Sequence, residues 1–346
     1  MPACGAIQGS CSTYCSPLPI IEAMKLSVVL PVRDEAAVLP ELVPRLTGAL
    51  DALDEDWDVV FVDDGSVDST WDLLRAAAEA DERIRAIRFS RNFGHQVALS
   101  AGLHLASGDG VITMDSDLQH PPEVISSLLA KAHEGFDVVY AVRSSSDSAT
   151  WFKRASARWF YWLLNHLSSL DVPQAGGDFR YMSRRVVDAL LAMPERHRFL
   201  RGMTRWVGYE QAAIEYHRAP RAGGKSKYTL RKMLAFGWDA VVSFSALPLR
   251  MASMLGFVFS LLGLIYLAYV IAVRLFTNDA VAGWTSVVAT VLILGGVQLL
   301  CLGIMGQYLG RMYDEVKRRP LFLIADDTSS RGAVELIERE EPSPRR

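Results

Sequence analysis

The chain is poor in cysteine: only four of its 346 residues, with Cys4, Cys11 and Cys15 near the start. That spacing matches no familiar zinc pattern, and the reducing compartment inferred below argues against disulfides. Cys301 lies inside a long apolar stretch and reads as packing. Surplus basic charge is lacking too. Lys and Arg number 36 against 39 Asp and Glu, a formal net charge of -3, so no nucleic acid is expected as a partner. Met1 to Ala23 has no basic beginning and no long apolar core, which excludes a secretory signal. Because the strand pattern starts at Met24, residues 1–24 are expected to be a disordered leader or the product of a misassigned start. There is no internal repeat. His95, His104 and His120 lack metal-ligand spacing; His104 and His120 read as packing or polar support, and His95, directly after Arg91-Asn-Phe-Gly94, is the exception.

Apolar residues are abundant, at 50% of the chain, and their excess is concentrated after residue 250. Met251 to Val273 and Thr285 to Met305 are almost free of charge, and each can cross about 30 Å of hydrocarbon at about 1.5 Å per residue. Arg218, Arg221, Lys225, Lys227, Arg231, Lys232 and Arg250 precede the first stretch, and Arg311, Lys317, Arg318 and Arg319 follow the second. The connecting loop holds only Arg274 and Asp279. The positive-inside rule then predicts a multi-pass protein of the cytoplasmic (inner) membrane with its globular part and both termini in the cytoplasm. Tyr228 to Leu249 reads as a basic amphipathic helix lying in the interface, and Trp284 and Tyr308 as interface anchors. The expected division is 25–220 globular domain, 221–250 basic loop and interfacial helix, 251–310 membrane helices and 311–346 a cytoplasmic tail, disordered after Pro320. Two spans per chain sit more comfortably in an assembly, which makes a homo-oligomer one expected association.

Within the globular part, strand candidates Leu26 to Leu30, Val59 to Val62, Ile84 to Phe89, Val111 to Met114 and Val138 to Val142 alternate with helical stretches. The helices are expected near Ala36 to Leu53, Ser69 to Ala80, Gln96 to Ala106 and Pro122 to Glu134. That rhythm predicts an α/β fold with a mostly parallel sheet covered on both faces. Trp151 to Tyr216, with short strands at Phe179 to Met182 and Ala212 to Tyr216, is expected to wall the sheet. The fourth strand ends in Asp115-x-Asp117, at the sheet edge where open α/β folds bind ligands. Two carboxylates there suit a hard divalent cation, Mg²⁺ or Mn²⁺, bridging protein to a substrate diphosphate. The alternative is that both acids cap the helix beginning at Pro121-Pro122.

Two further strand ends are loaded with acids: Pro31-Val-Arg-Asp-Glu35 and Val62-Asp-Asp-Gly-Ser-Val-Asp-Ser-Thr70. With Phe89-Ser-Arg-Asn-Phe-Gly94, Asp115-x-Asp-Leu-Gln-x-Pro-Pro-Glu123, Gly177-Asp-Phe-Arg180, Gly224-Lys-Ser-Lys-Tyr228 and the paired apolar stretches, the chain resembles glycosyltransferase family 2. Within it, the likeness is to polyprenyl-phosphate hexosyltransferases, covering about residues 25 to 325. The resemblance implies a GT-A Rossmann-like nucleotide-sugar domain followed by a two-helix transmembrane hairpin. It implies an inverting transfer of hexose, glucose from UDP-glucose in the first instance, from a nucleotide-sugar donor to undecaprenyl or polyprenyl phosphate.

The same resemblance distributes roles. Pro31, Arg33, Glu35, Asp64, Ser66, Arg91, Gly94, His95 and Asp115 would bind the donor, Asp64 by accepting the uracil N3–H. Position 33 is often aromatic and position 34 often Asn in similar proteins, so Arg33 and Asp34 are departures; a planar guanidinium can still stack on a base. Asp117 and Asp115 would hold the metal, with Gln119 assisting at the reacting centre. Arg143, Lys153, Arg154, Arg221, Ser226 and Lys227 would grip diphosphate or the lipid phosphate. Asp178 matches the position of a catalytic base. A phosphate monoester has a second pKa of about 6, however, so Asp178 can equally orient the acceptor or pair with Arg180. Other readings are GDP-mannose or a UDP-N-acetylhexosamine as donor, and a non-catalytic nucleotide-sugar-binding membrane subunit. A processive polysaccharide synthase would need a Gln-x-x-Arg-Trp motif, whereas Met203-Thr-Arg-Trp206 lacks the Gln.

Overall fold

The computed structural model describes residues 24–143, 176–216, 247–276 and 283–329. The leader, almost all of the expected interfacial helix, and the candidate site residues Lys153, Arg154, Arg221, Ser226 and Lys227 lie outside the described residues.

Eight strands form one mixed sheet: β1 (Leu26–Val32), β2 (Trp57–Asp63), β3 (Ile84–Phe89), β4 (Gly110–Thr113), β5 (Val138–Arg143), β6 (Gly176–Ser183), β7 (Gln211–Tyr216) and β8 (Ile324–Asp327). Their order is β7-β5-β6-β4-β1-β2-β3-β8. β1 pairs in parallel with β2 and β4, and β2 with β3. The β1 sequence Leu-Ser-Val-Val-Leu-Pro-Val is buried along its whole length, the continuous pattern of a parallel strand covered on both faces.

Two apolar clusters lie on the two faces. The first holds Leu39, Leu42, Leu46 and Leu50 of α1 (Leu39–Asp51), Trp71 and Leu74 of α2 (Thr70–Ala80), and Ile125, Leu128 and Leu129 of α4 (Ile125–His133). The second holds Leu99 and Leu103 of α3 (His95–Leu105), Val186, Val187 and Leu190 of α5 (Arg184–Ala192), and Leu200 and Met203 of α6 (Leu200–Trp206). The three-to-four-residue spacing of these positions gives each helix one face for the sheet. The segment expected as one helix from Pro122 instead opens with a 3-10 turn, Pro122–Val124, before α4.

Two expectations are corrected. Phe179 to Met182 and Ala212 to Tyr216 do not wall the sheet but belong to it. β6 inserts antiparallel between β4 and β5, and β7 pairs in parallel with β5. Both faces of β6 are apolar enough to allow this, with Phe179 and Tyr181 in one cluster and Met182 in the other. The tail is not disordered throughout: β8 adds antiparallel to β3. Phe322 and Ile324 pack against the second cluster, while Arg85 holds Asp327 through Nε and Nη2 at 3.2 and 2.6 Å.

α7 (Leu247–Phe276) and α8 (Trp284–Val316) are 30 and 33 residues long, about 45 and 50 Å at 1.5 Å per residue. Both are long and apolar enough to cross a membrane, and large apolar side chains such as Met254, Phe257, Ile265 and Leu299 are exposed along them. They pack on each other, with the Cys301 thiol 3.6 Å from the carbonyl oxygen of Ala252. α8 continues past Met305 to Val316, carrying the chain back towards the globular domain.

Candidate active site

The rim at the carboxyl ends of β1, β2 and β4 is built from loops that staple one another. Asp63, fully buried at the end of β2, accepts from the Ser66 amide at 2.8 Å and the Ser66 hydroxyl at 2.5 Å. Burial pushes its carboxyl upward against these bonds. The Ser66 hydroxyl oxygen accepts from the Asp34 amide, and Asp34 Oδ1 accepts from the Val67 amide, both at 2.9 Å. Gly65 is required between them: its φ is 68°, and a Cβ would stand 2.7 Å from the Arg91 carbonyl carbon.

Asp64 accepts from the amides of Phe93 at 2.7 Å and Gly94 at 3.1 Å. Asp64 and Ser66 therefore hold the rim loops together. Pro31 is buried, and its carbonyl accepts from the Ser116 hydroxyl at 3.0 Å. Arg33 is exposed beside Asp34, Glu35 is half-buried, and the Arg91 guanidinium lies 4.0 Å over the Phe93 ring. Arg143 is the last residue of β5.

Asp115 lies two residues past the end of β4. Its amide donates to His120 Nδ1 at 3.0 Å, while its Oδ1 and the Oε1 of buried Gln119 are shielded from solvent without a hydrogen-bond donor. Burial raises the Asp115 carboxyl, opposed by His120 and His95. Asp117 is half-buried and accepts from the Gln119 amide at 3.0 Å, across Leu118 in the left-handed region at φ 56°. Among the described residues, Asp115 Oδ1 has only the His95 ring nitrogen near it, at 3.4 Å, and shielded oxygens that lack a hydrogen-bond donor favour the arrival of a cation or donor. Oxygen donors of this kind fit Mg²⁺ or Mn²⁺.

Asp178, 5% exposed on β6, is the electrostatic centre of the site. Its Oδ1 accepts from Arg180 Nη2 and Arg201 Nε, both at 3.0 Å, and its Oδ2 from Arg201 Nη2 at 3.1 Å. His95 Nε2 stands 3.3 Å from Asp178 Oδ2 and 3.4 Å from Asp115 Oδ1. The Thr113 hydroxyl donates to the Asp178 carbonyl at 2.6 Å, tying β6 to the end of β4. Burial alone would raise the Asp178 carboxyl; the bond to His95 and the charges of Arg201 and Arg180 outweigh it and hold the group well below the usual carboxylate range. For His95 burial works downward, yet Asp178 and Asp115 win and raise it. Ligand atoms of His95, Asp115 and Asp178 lie within 4.8 Å of one another. Asp178, however, already faces two guanidinium groups, whereas the Asp115 carboxylate has, among the described residues, only His95 and His120 beside it.

The three histidines do not meet as a trio, but His95 and His120 both reach Asp115. Arg201 had no motif to announce it. It belongs to the basic run Arg196, Arg198, Arg201 and Arg205, and a grip on Asp178 depends on the sheet order placing α6 beside β6. Gln96 joins the same network by accepting from the Leu200 amide at 3.1 Å.

Residues 27–191 match glycosyl transferase family 2, and residues 247–312 match the GtrB C-terminal hairpin. An uncharacterized glycosyltransferase of Bacillus subtilis strain 168 is 42% identical over 301 residues, covering 87% of this chain and 93% of that protein. The chain belongs to glycosyltransferase family 2. Its mixed sheet is accordingly the family's GT-A fold, followed by a hairpin of two apolar helices. The bactoprenol glucosyl transferase derived from prophage SfII in Shigella flexneri is 39% identical over 301 residues, 87% of this chain and 97% of that protein. Among solved structures, Mycobacterium tuberculosis glucosyl-3-phosphoglycerate synthase with Mn²⁺, uridine diphosphate and phosphoglyceric acid aligns at TM-score 0.43 and 20% identity, covering 63% of this chain and 76% of that one.

Proposed function

We propose that this glycosyltransferase moves a hexose, glucose from UDP-glucose in the first instance, onto a polyprenyl phosphate at the cytoplasmic face of the membrane. The observation that carries the reading is the pair of solvent-shielded oxygens on Asp115 and Gln119 that no hydrogen-bond donor reaches, in the loop after β4, in a chain with two apolar helices. Similarity to bactoprenol glucosyl transferases supports the acceptor class and the sugar. Basic residues on both flanks of the hairpin support the cytoplasmic orientation.

Asp115, Asp117 and Gln119 would hold Mg²⁺ or Mn²⁺, which neutralises charge on a departing nucleoside diphosphate. Pro31, Arg33, Glu35 and the loop anchored by Asp64 would border the nucleoside, with Arg91, Gly94 and His95 on the sugar-diphosphate side. The acceptor phosphate oxygen attacks the anomeric carbon as the diphosphate leaves, so a single displacement inverts that centre. Arg143, Lys153, Arg154, Arg221, Ser226 and Lys227 are the proposed phosphate grip.

Asp178 acts here as an orienting anion and not as a base. A carboxyl held well below its usual range by the bond to His95 and the charges of Arg201 and Arg180 takes up a proton poorly. The acceptor does not demand one, because a phosphate monoester with its second pKa at about 6 is largely ionised at neutral pH. Asp178 instead fixes His95 and Arg201 against the reacting centre.

The test is incubation of the full chain in detergent with undecaprenyl phosphate, Mn²⁺ or Mg²⁺, and a panel of labelled UDP- and GDP-sugars, beside Asp117→Ala. Label extracted into the lipid phase from UDP-glucose, and lost in the variant, is the expected result. Label from GDP-mannose or a UDP-N-acetylhexosamine would reassign the donor. Binding of nucleotide sugar with no lipid product from any donor would overturn the transferase reading.

A further inference from the structure

We infer that the segment running on from the last turn of α8, Asp314 to Thr328, is a positioning strap through which the membrane hairpin sets the geometry around Asp178, with Glu315 and Phe322 as its two anchoring residues. The inference rests on the reading that Asp178 and Arg201 belong to the transfer site.

One anchor reaches α6. Glu315 Oε1 accepts from the Arg196 amide at 2.7 Å. The Arg196 guanidinium donates back to the carbonyls of Arg319 and Pro320, and His197 Nε2 lies 3.6 Å from Asp314 Oδ2. Only Arg198 and Phe199 separate this knot from Leu200, where α6 begins and where the amide donates to Gln96. The next residue, Arg201, forks onto Asp178. A helix of seven residues has little stability of its own, so its placement follows from how its leading end is tied.

The other anchor leads to the same carboxylate by way of the loop before α3. Arg318, in the left-handed region at φ 46°, turns the chain out of α8, and Phe322 then stacks on Phe89 with centroids 5.1 Å apart. Phe89 meets Phe93 edge-on at 5.6 Å. The Ser90 amide donates to the Leu323 carbonyl at 3.0 Å. Phe93 and Gly94 are the two amides held by Asp64, and His95 follows them into contact with Asp178. Both paths from one short segment thus end on Asp178, one through Arg201 and one through His95.

Glu315→Ala and Glu315→Gln test the strap in the full chain, because the Gln amide oxygen still accepts from the Arg196 amide. Expected for Glu315→Ala is a fall in kcat for lipid glycosylation of about tenfold or more, the scale at which remote misplacement acts. KM for the nucleotide sugar should stay within about twofold, since the donor side is not misplaced. Hydrogen exchange of the Leu200 to Trp206 amides should quicken in Glu315→Ala and not in Glu315→Gln, with α1 unchanged in both. Phe322→Ala should likewise quicken exchange at Phe93 to His95. Unaltered exchange at these sites, or equal behaviour of the Ala and Gln variants, would overturn the strap. If even the unsubstituted chain transfers no sugar to lipid, the functional reading fails, while the exchange comparison decides the strap by itself.

Discussion

Arg201→Met removes the two charge-assisted bonds that Arg201 makes to Asp178. Such bonds contribute about 1.5–3 kcal/mol each. The Arg201 side chain is 33% exposed, and screening brings the pair down to about 2–3 kcal/mol together. If that energy holds Asp178 and its neighbours in their reactive arrangement, kcat falls by about 30- to 150-fold, at about 1.4 kcal/mol per decade. Arg201→Lys keeps a cation but loses the fork, and about a 5- to 10-fold loss is expected from one missing bond after the same screening. Asp178 stays ionised in both variants because Arg180 and His95 remain, so no new limb enters the neutral part of the pH–rate profile. Steady-state transfer of labelled sugar to polyprenyl phosphate, with nucleotide-sugar binding measured by calorimetry, separates the outcomes. Arg201→Met with kcat within about threefold of the parent and an unchanged melting temperature would refute the argument, since a fork of that energy cannot then be orienting the centre.

Gln119→Leu should separate stability from metal binding. Its Oε1 is buried without a partner, so an apolar side chain of similar shape leaves the melting temperature equal or higher. Mn²⁺ affinity, followed by electron paramagnetic resonance, should fall by about 10- to 100-fold, as for lost groups around metal centres. Gly65→Ala combines a left-handed backbone with a Cβ at 2.7 Å from the Arg91 carbonyl carbon, and should lose at least about 2 kcal/mol in urea unfolding. Burial opposes the lowering of Asp327, but its bond to Arg85 prevails and holds the carboxyl below its ordinary value. That stabilisation is present above the unfolded value of about 3.9 and is lost as pH falls through the lowered folded value. Residues 324–327 should therefore become protease-sensitive in acid before the central strands do.

The parallel half of the sheet was legible because its strands are short β-branched runs separated by helices with one apolar face. Leu39, Leu42, Leu46 and Leu50 illustrate the spacing, and all four are buried. The acidic rim was legible as well, since three strand ends carry Asp next to turn residues. β6 and β7 were read as strands but not given their place, because edge order and antiparallel insertion depend on long-range pairing that local periodicity does not encode. β8 was missed for a related reason: four residues in a charged tail become a strand only when β3 offers an edge. Arg201 escaped because its importance lies in a partner 23 residues away in sequence. Asp64 and Ser66 were read as donor contacts, yet their oxygens are engaged by backbone amides and Asp63, which sequence spacing alone cannot distinguish from ligand contacts.

The late arrival of β8 bears on biogenesis. Arg85 and Asp327 are 242 positions apart, with both apolar helices between them. During synthesis β3 therefore stands as an open edge, with unpaired backbone groups of the kind that recruit foreign strands. It is closed only after the hairpin has left the ribosome. Completion of the sheet is thus ordered behind the making of both apolar helices, and a chain truncated or stalled within them would carry a folded domain with an adhesive flank.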